Sequence, residues 1–220
     1  MGEQPIYIDP FSDTGFKAIF GREGMSEEIL RKFINEVFRG QPLFEHIREV
    51  RFINNERTRE TGKDKTIIHD VICTTDNGTR FIVEMQKGDQ ENFIMRALYY
   101  VSRGVTDQAV RLEGDPVWEY NVMPVAGIFV TAFEVEGLPE KLLTHIGLVD
   151  LDTKEIVNNH IRFAYIQTPY FNKRQDECNT EFEKIIYTLK NMPTLYAIPF
   201  QERERTIFTA GWTSWHVMPT

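Results

Sequence analysis

Two acidic residues stand inside apolar segments on either side of a turn, Asp70 in TIIHDVICTT and Glu84 in TRFIVEMQK. An ionised carboxylate in apolar surroundings is costly unless it is paired, hydrogen-bonded or bound to a metal. The residues between the two segments, Asp-Asn-Gly at 76–78, are typical of a β-hairpin turn. The pattern therefore predicts a hairpin that carries one carboxylate on each strand.

The length of the turn decides whether these carboxylates meet. A two-residue loop would set Asp70 opposite Met85 and leave the acids on opposite faces of the sheet. A three-residue loop sets Asp70 opposite Glu84 and places Gly78 in the left-handed position of a G1 bulge, which suits glycine. We predict the three-residue loop, in which the Cβ atoms of directly opposed residues lie about 4.5–5.5 Å apart. Two carboxylates that close indicate a divalent-cation site, and Gln86 follows on the same face.

The rest of the chain predicts helices and strands that surround this hairpin. Apolar spacing indicates helices over a short segment starting at Asp13 or Thr14, as candidate caps, and over 26–39, 90–111 and 179–191. Strands are predicted at 47–55, in the two hairpin segments, and at 122–133, 144–151 and 156–167. This order predicts an α/β or α+β fold, with a mixed sheet flanked by helices.

Several of these segments resemble the PD-(D/E)XK nucleases, most closely the Rpn family of recombination-promoting nucleases, also described as PD-(D/E)XK family transposases. The resemblance rests on Asp70 followed by Glu-x-Gln on the next strand, on DTGFKAIFG, on IVEMQ, and on Arg96 with Tyr100 four residues later. It covers roughly residues 10–190 and implies a restriction-endonuclease-like fold. It also implies metal-dependent DNA cleavage linked to recombination or mobile elements.

The resemblance assigns roles to the hairpin residues. Asp70, Glu84 and the backbone carbonyl of Met85 would bind Mg²⁺ or Mn²⁺, which prefer hard oxygen ligands. Gln86 stands where the superfamily usually has lysine, a replacement typical of this branch. Its amide would hydrogen-bond the attacking water or a phosphate oxygen, but it brings no positive charge.

Two further pairs complete the candidate site. Asp13 and Lys17 are four residues apart, so both face one way on a helix. We predict that this helix directs them at the Asp70–Glu84 end, with Asp13 as a third acid and Lys17 near the phosphate; the alternative is a cap and a solvated lysine. Arg96 and Tyr100 have the same spacing and form either a structural pair that covers the sheet or a phosphate contact.

Composition limits the partners and the surroundings of the protein. The net charge of −8 disfavours bulk attraction to nucleic acid, so a metal or a local basic patch must supply it. The basic run over 57–65 is interleaved with acids and is either a solvated loop or a DNA-backbone contact. Two cysteines exclude a disulfide scaffold and a four-cysteine zinc site, and Cys73 is expected in the core. Lacking a signal peptide and an apolar stretch of about 20 residues, the chain is expected to be cytoplasmic.

We expect one nuclease-like domain over 1–200 and an atypical tail over 201–220, either truncated or disordered. The leading hypothesis is a Mg²⁺-dependent DNA endonuclease, with a homodimer left open. One alternative is a carboxylate-pair hydrolase that acts on another substrate. The other is a catalytically inactive nuclease-fold binding or assembly module, which the acidic charge and Gln86 favour.

Overall fold

The computed structural model describes residues 7–44, 46–53, 71–89, 91–108, 121–197 and 199–200. Within these ranges the chain forms one mixed β-sheet with helices on both faces, which confirms the expected α/β, restriction-endonuclease-like architecture. The helices are α1 (Asp13–Phe20), α2 (Glu27–Val37), α3 (Phe93–Thr106) and α4 (Glu181–Asn191). The strands are β1 (Val50–Phe52), β2 (Val71–Thr75), β3 (Arg80–Gln86), β4 (Val125–Thr131), β5 (Leu143–Val149) and β6 (Ile156–Gln167).

Three predictions concern residues outside the described ranges. They are the metal ligand Asp70, the basic run over 57–65 and the tail over 201–220. Among the helices that are described, none is long and apolar enough to cross a membrane.

The sheet has the strand order β1-β2-β3-β4-β6-β5. The pairs β1–β2, β2–β3 and β5–β6 are antiparallel, whereas β3–β4 and β4–β6 are parallel. Helix α3 connects β3 to β4, as a parallel pair requires. The carboxyl ends of β3, β4 and β6 therefore lie at the same end of the sheet.

The β2–β3 hairpin has the predicted three-residue turn. The Thr75 amide donates to the Thr79 carbonyl at 3.0 Å, and the strands continue in register to Val71 opposite Val83. Gly78 has φ +83°, the left-handed conformation expected of a G1 bulge. The side chain of Asn77 closes the turn, because its Oδ1 accepts a hydrogen bond from the Thr79 amide at 3.0 Å.

The two faces of β3 belong to different parts of the core. Phe81, Val83 and Met85 pack in one apolar cluster with residues of α1, α2 and α4. Ile82 points the other way and packs with the buried side of α3. Because side chains alternate along a strand, Glu84 and Gln86 lie on the α3 side of the sheet.

Helix α1 forms where expected, but its cap differs from the prediction. Ser12 is the N-cap: its backbone is extended, with φ −87° and ψ 149°, and its side chain accepts a hydrogen bond from the Gly15 amide. Asp13 and Thr14 are already helical residues, so neither is the cap. The charge of Asp13 in the first turn still favours the helix, because the N-terminus of a helix carries partial positive charge.

Candidate active site

Glu84 is a buried acid near the carboxyl end of β3. Its side chain is only 1% exposed, and the residue lies opposite Phe129 of β4. Gln86 follows on the same face, half-buried, opposite Thr131. The flanking residues Val83 and Met85 bury their side chains on the other face, so the strand pattern itself directs this acid toward α3.

One oxygen of Glu84 receives two close donors. The Gln86 Nε2 donates to Glu84 Oε1 at 2.6 Å, and the Arg96 Nη2 donates to the same oxygen at 2.6 Å. The Arg96 side chain is 31% exposed, so its guanidinium extends from the buried carboxylate to the surface. A buried carboxylate is tolerated when charged and hydrogen-bonding partners compensate it, and Arg96 supplies the charge.

Arg96 is held in turn by Tyr100, one turn further along α3. Its Nε donates to the Tyr100 hydroxyl at 2.6 Å, and its Cζ lies 5.2 Å from the centre of the tyrosine ring. The helix is anchored by buried residues such as Phe93, Ala97 and Val101. The predicted i,i+4 pair is therefore present, and the structure adds the contact that sequence spacing did not give, the one to Glu84.

The segment that precedes α1 is joined to the carboxyl end of β3 by an ion pair. Lys87 Nζ lies 2.6 Å from Asp9 Oδ2, while the other oxygen of Asp9 accepts a hydrogen bond from the Phe11 amide. The backbone of this segment is tightly packed, since a Cβ at Gly15 would lie 1.8 Å from the Asp9 carbonyl oxygen. Lys87, the residue after β3, therefore contacts the segment before α1 rather than Glu84.

Asp13 and Lys17 are exposed on α1. The helix buries Phe16, Ile19 and Phe20 in the cluster that contains Val83 and Met85. It therefore covers the face of the sheet opposite to Glu84, although the contact between Asp9 and Lys87 keeps the segment before the helix near the end of β3. The roles of Asp13 and Lys17 in the reaction stay predictions.

A comparison with protein families identifies the chain. The model of the family described as "PD-(D/E)XK nuclease family transposase" matches residues 10–218. The chain belongs to this family. Searches of curated proteins and of solved structures gave no significant match. Family membership supports a nuclease-type function, and PD-(D/E)XK nucleases typically use divalent metal ions.

Two donor atoms at the end of β3 are of the kind that binds such an ion. The Glu84 carboxylate and the Met85 backbone carbonyl are hard oxygen donors at the end of one strand, the ligand type that Mg²⁺ and Mn²⁺ prefer. Among the described residues, no group of three or more His, Cys, Asp or Glu is placed to hold a metal. Asp70, the second predicted carboxylate, lies outside those residues.

Other reactive side chains of the family member are poorly placed for catalysis. Cys73, as expected for a core residue, and Cys178 are buried free thiols, and burial raises the pKa of both. Burial, together with the cations Lys141 and Arg162, lowers the pKa of His145. The His145 Nδ1 is buried and has no hydrogen-bond partner in the described part of the chain. The two cysteines are therefore core residues, and the half-buried His145 is a poor candidate for a proton donor.

Proposed function

We propose that this protein is a metal-dependent DNA endonuclease linked to recombination or to a mobile element. The observation that carries this function is the buried Glu84 carboxylate, followed by Gln86 on the same face, at the carboxyl end of β3. A hydrophobic strand does not gain stability from an almost fully buried acid, so a functional reason for Glu84 is favoured.

The second carboxylate is proposed from the register of the hairpin. Val71 lies opposite Val83 in the last described pair of β2 and β3. Continuation of this register by one residue would set Asp70 opposite Glu84, with Cβ atoms about 4.5–5.5 Å apart. Asp70, Glu84 and the Met85 carbonyl would then hold Mg²⁺ or Mn²⁺.

Each remaining candidate residue has a role that its position allows. The bound ion would supply a water of lowered pKa and neutralise negative charge on the phosphate. The amide of Gln86 would orient that water or a phosphate oxygen. The planar guanidinium of Arg96, partly exposed beside Glu84, suits bidentate contact with a phosphate, and Tyr100 would keep it at the edge of the site. Lys17 and Asp13 lie on the helix that packs against the opposite face, so they would act only on substrate that extends around the end of β3.

Cleavage of supercoiled plasmid tests the proposed function. The wild-type chain should convert supercoiled to open-circular DNA in Mg²⁺ or Mn²⁺, and EDTA should stop the reaction. Asp70→Asn and Glu84→Gln should each lower the rate by more than about 100-fold. Changes to residues that only contact a metal ligand already cost about 10–100-fold, and loss of a ligand itself should cost more. The exposed acid Glu155, in the turn between β5 and β6, provides the control variant Glu155→Gln, which should cleave DNA at the wild-type rate.

Two results would contradict this function. Cleavage that persists in EDTA, or that is undiminished in both Asp70→Asn and Glu84→Gln, would mean that the activity resides elsewhere. DNA binding without cleavage in either metal would instead favour the inactive binding or assembly module.

A further inference from the structure

The Glu84 oxygen that is expected to bind a metal ion already contacts a cation. Its Oε1 lies 2.6 Å from Arg96 Nη2, and the carboxylate is 1% exposed. The same oxygen accepts the Gln86 amide at 2.6 Å. A divalent ion bound to this oxygen would bring a second positive charge next to the guanidinium, and like charges at such a distance repel.

The Arg96 guanidinium can move toward solvent without losing its contact with Tyr100. The side chain is 31% exposed, so one side of the guanidinium borders solvent. Its Nε is bound to the Tyr100 hydroxyl at 2.6 Å, and its Cζ lies 5.2 Å from the tyrosine ring centre. Tyr100 is 7% exposed and lies on the same helix, so it can hold the guanidinium at the solvent-exposed edge of the site after the contact with Glu84 breaks.

We propose that Arg96 is the resident counter-cation of Glu84 in the metal-free protein and is displaced from Oε1 by the incoming divalent ion. This inference rests on the proposed metal site. It gives Arg96 two states: paired with Glu84 before the metal binds, and beside Tyr100 at the solvent-exposed edge of the site afterwards. The guanidinium thereby reaches the position for phosphate contact only when the metal is in place.

Displacement predicts the sign of the effect on metal affinity. Removal of a group that contacts a metal ligand typically changes the affinity by about 10–100-fold, and usually weakens it. A competing cation has the opposite effect, so Arg96→Met should bind a divalent ion about tenfold more tightly than the wild type. If Arg96 instead held Glu84 in place for the metal, the same variant would bind more weakly.

The test is a titration of the full chain with Mn²⁺ alone, without DNA, in which free Mn²⁺ is counted by electron paramagnetic resonance. Arg103→Met is the matched control, because Arg103 lies on the same helix and pairs with Asp107 at 2.8 Å rather than with Glu84. It removes the same charge from α3 and should leave the affinity within about twofold of wild type, since distant surface charges are screened by salt. Glu84→Gln should abolish the binding.

A second measurement uses the wild-type chain, so it does not depend on the folding of a variant. The NMR signal of the Arg96 Nε–H group, assigned by its loss in Arg96→Lys, should shift on addition of Mg²⁺, whereas the Arg103 signal should stay in place.

The outcomes distinguish a failure of the proposed metal site from a failure of the proposed displacement of Arg96. If neither wild type nor Arg96→Met binds Mn²⁺, the proposed metal site fails, and displacement fails with it. If the wild type binds Mn²⁺ through Glu84 but Arg96→Met binds equally or more weakly, the metal site stands and displacement is refuted. An Arg96 signal that does not respond to saturating Mg²⁺ would also refute it.

Discussion

The ion pair between Glu84 and Arg96 makes an unusual prediction about stability: removal of both charges should be less harmful than removal of the arginine alone. The variant to make first is Arg96→Met, which keeps the length of the side chain but loses its charge and its donors. Glu84 would then remain 1% exposed, with its charge no longer matched by a guanidinium at 2.6 Å.

The exposure of the two partners sets the magnitude. Removing one member of a fully buried ion pair costs about 3–5 kcal/mol. Because Arg96 is 31% exposed, solvent already screens part of the interaction, and we expect about 2 kcal/mol for Arg96→Met. For a chain of this size, that loss corresponds to a decrease in Tm of about 4–8 °C.

Glu84→Gln removes the buried charge and keeps a side chain of the same shape, so it should cost less. The double variant should be more stable than Arg96→Met by about 1 kcal/mol, because it no longer buries a carboxylate that has lost its guanidinium partner. The assay is urea unfolding of the four proteins in EDTA, which keeps the proposed metal site empty. A double variant that is less stable than Arg96→Met, by the cost of Glu84→Gln alone, would refute this account of the ion pair.

Three further predictions concern positions outside this pair. The pKa of His145 is lowered in the folded protein, so the unfolded state binds more protons below a pH of about 6.5. The free energy of unfolding should therefore fall on acidification, by at most about 1.4 kcal/mol per pH unit. Urea midpoints of His145→Gln should depend less steeply on pH than those of the wild type, and an unchanged slope would contradict this. Gly15→Ala should destabilise the protein by more than about 1 kcal/mol despite the better helix propensity of alanine, because the new Cβ would lie 1.8 Å from the Asp9 carbonyl oxygen. Gly88→Ala is the control in the same unfolding assay and should be neutral, because the space around its Cβ is open. Lys17→Ala should lower plasmid cleavage without a change in Tm, since Lys17 is exposed, and full activity in this variant would make Lys17 an ordinary surface charge.

The hairpin could be predicted from sequence because its register is decided locally. Asp-Asn-Gly at 76–78 accommodates the left-handed φ that the third turn position requires, and Gly78 adopts it at +83°. Once the turn has three residues, alternation along the strands fixes which side chains share a face. The order of helices and strands was predictable for the same reason, since the apolar period within each segment is a local property.

Contacts between distant segments could not be predicted in this way. The spacing of Arg96 and Tyr100 places them together on α3, but it does not reveal that Arg96 reaches Glu84 on a strand. The one signal available was the buried acid itself, which requires a compensating cation from a neighbouring element. The contact of Lys87 with Asp9 joins residues 78 positions apart, and nothing in the local pattern of either residue indicates it.

The start of α1 shows how a local prediction fails by one residue. Ser12, Asp13 and Thr14 are all good capping residues, so residue type does not distinguish them. The choice of Ser12 depends on the preceding turn, where its hydroxyl also donates to the Asp9 carbonyl at 2.6 Å. That turn is fixed by the packing of Gly15 against the same carbonyl, which is a property of the folded segment.

Whether Glu84 is a metal ligand in a nuclease site is tested most directly by an anomalous difference map from crystals of the wild-type chain soaked in Mn²⁺. We expect one strong peak between the carboxylates of Asp70 and Glu84, next to the Met85 carbonyl, with the Arg96 guanidinium moved away from Glu84 Oε1. No peak at this position, with Arg96 still bound to Glu84 at saturating Mn²⁺, would mean that Glu84 is not a metal ligand.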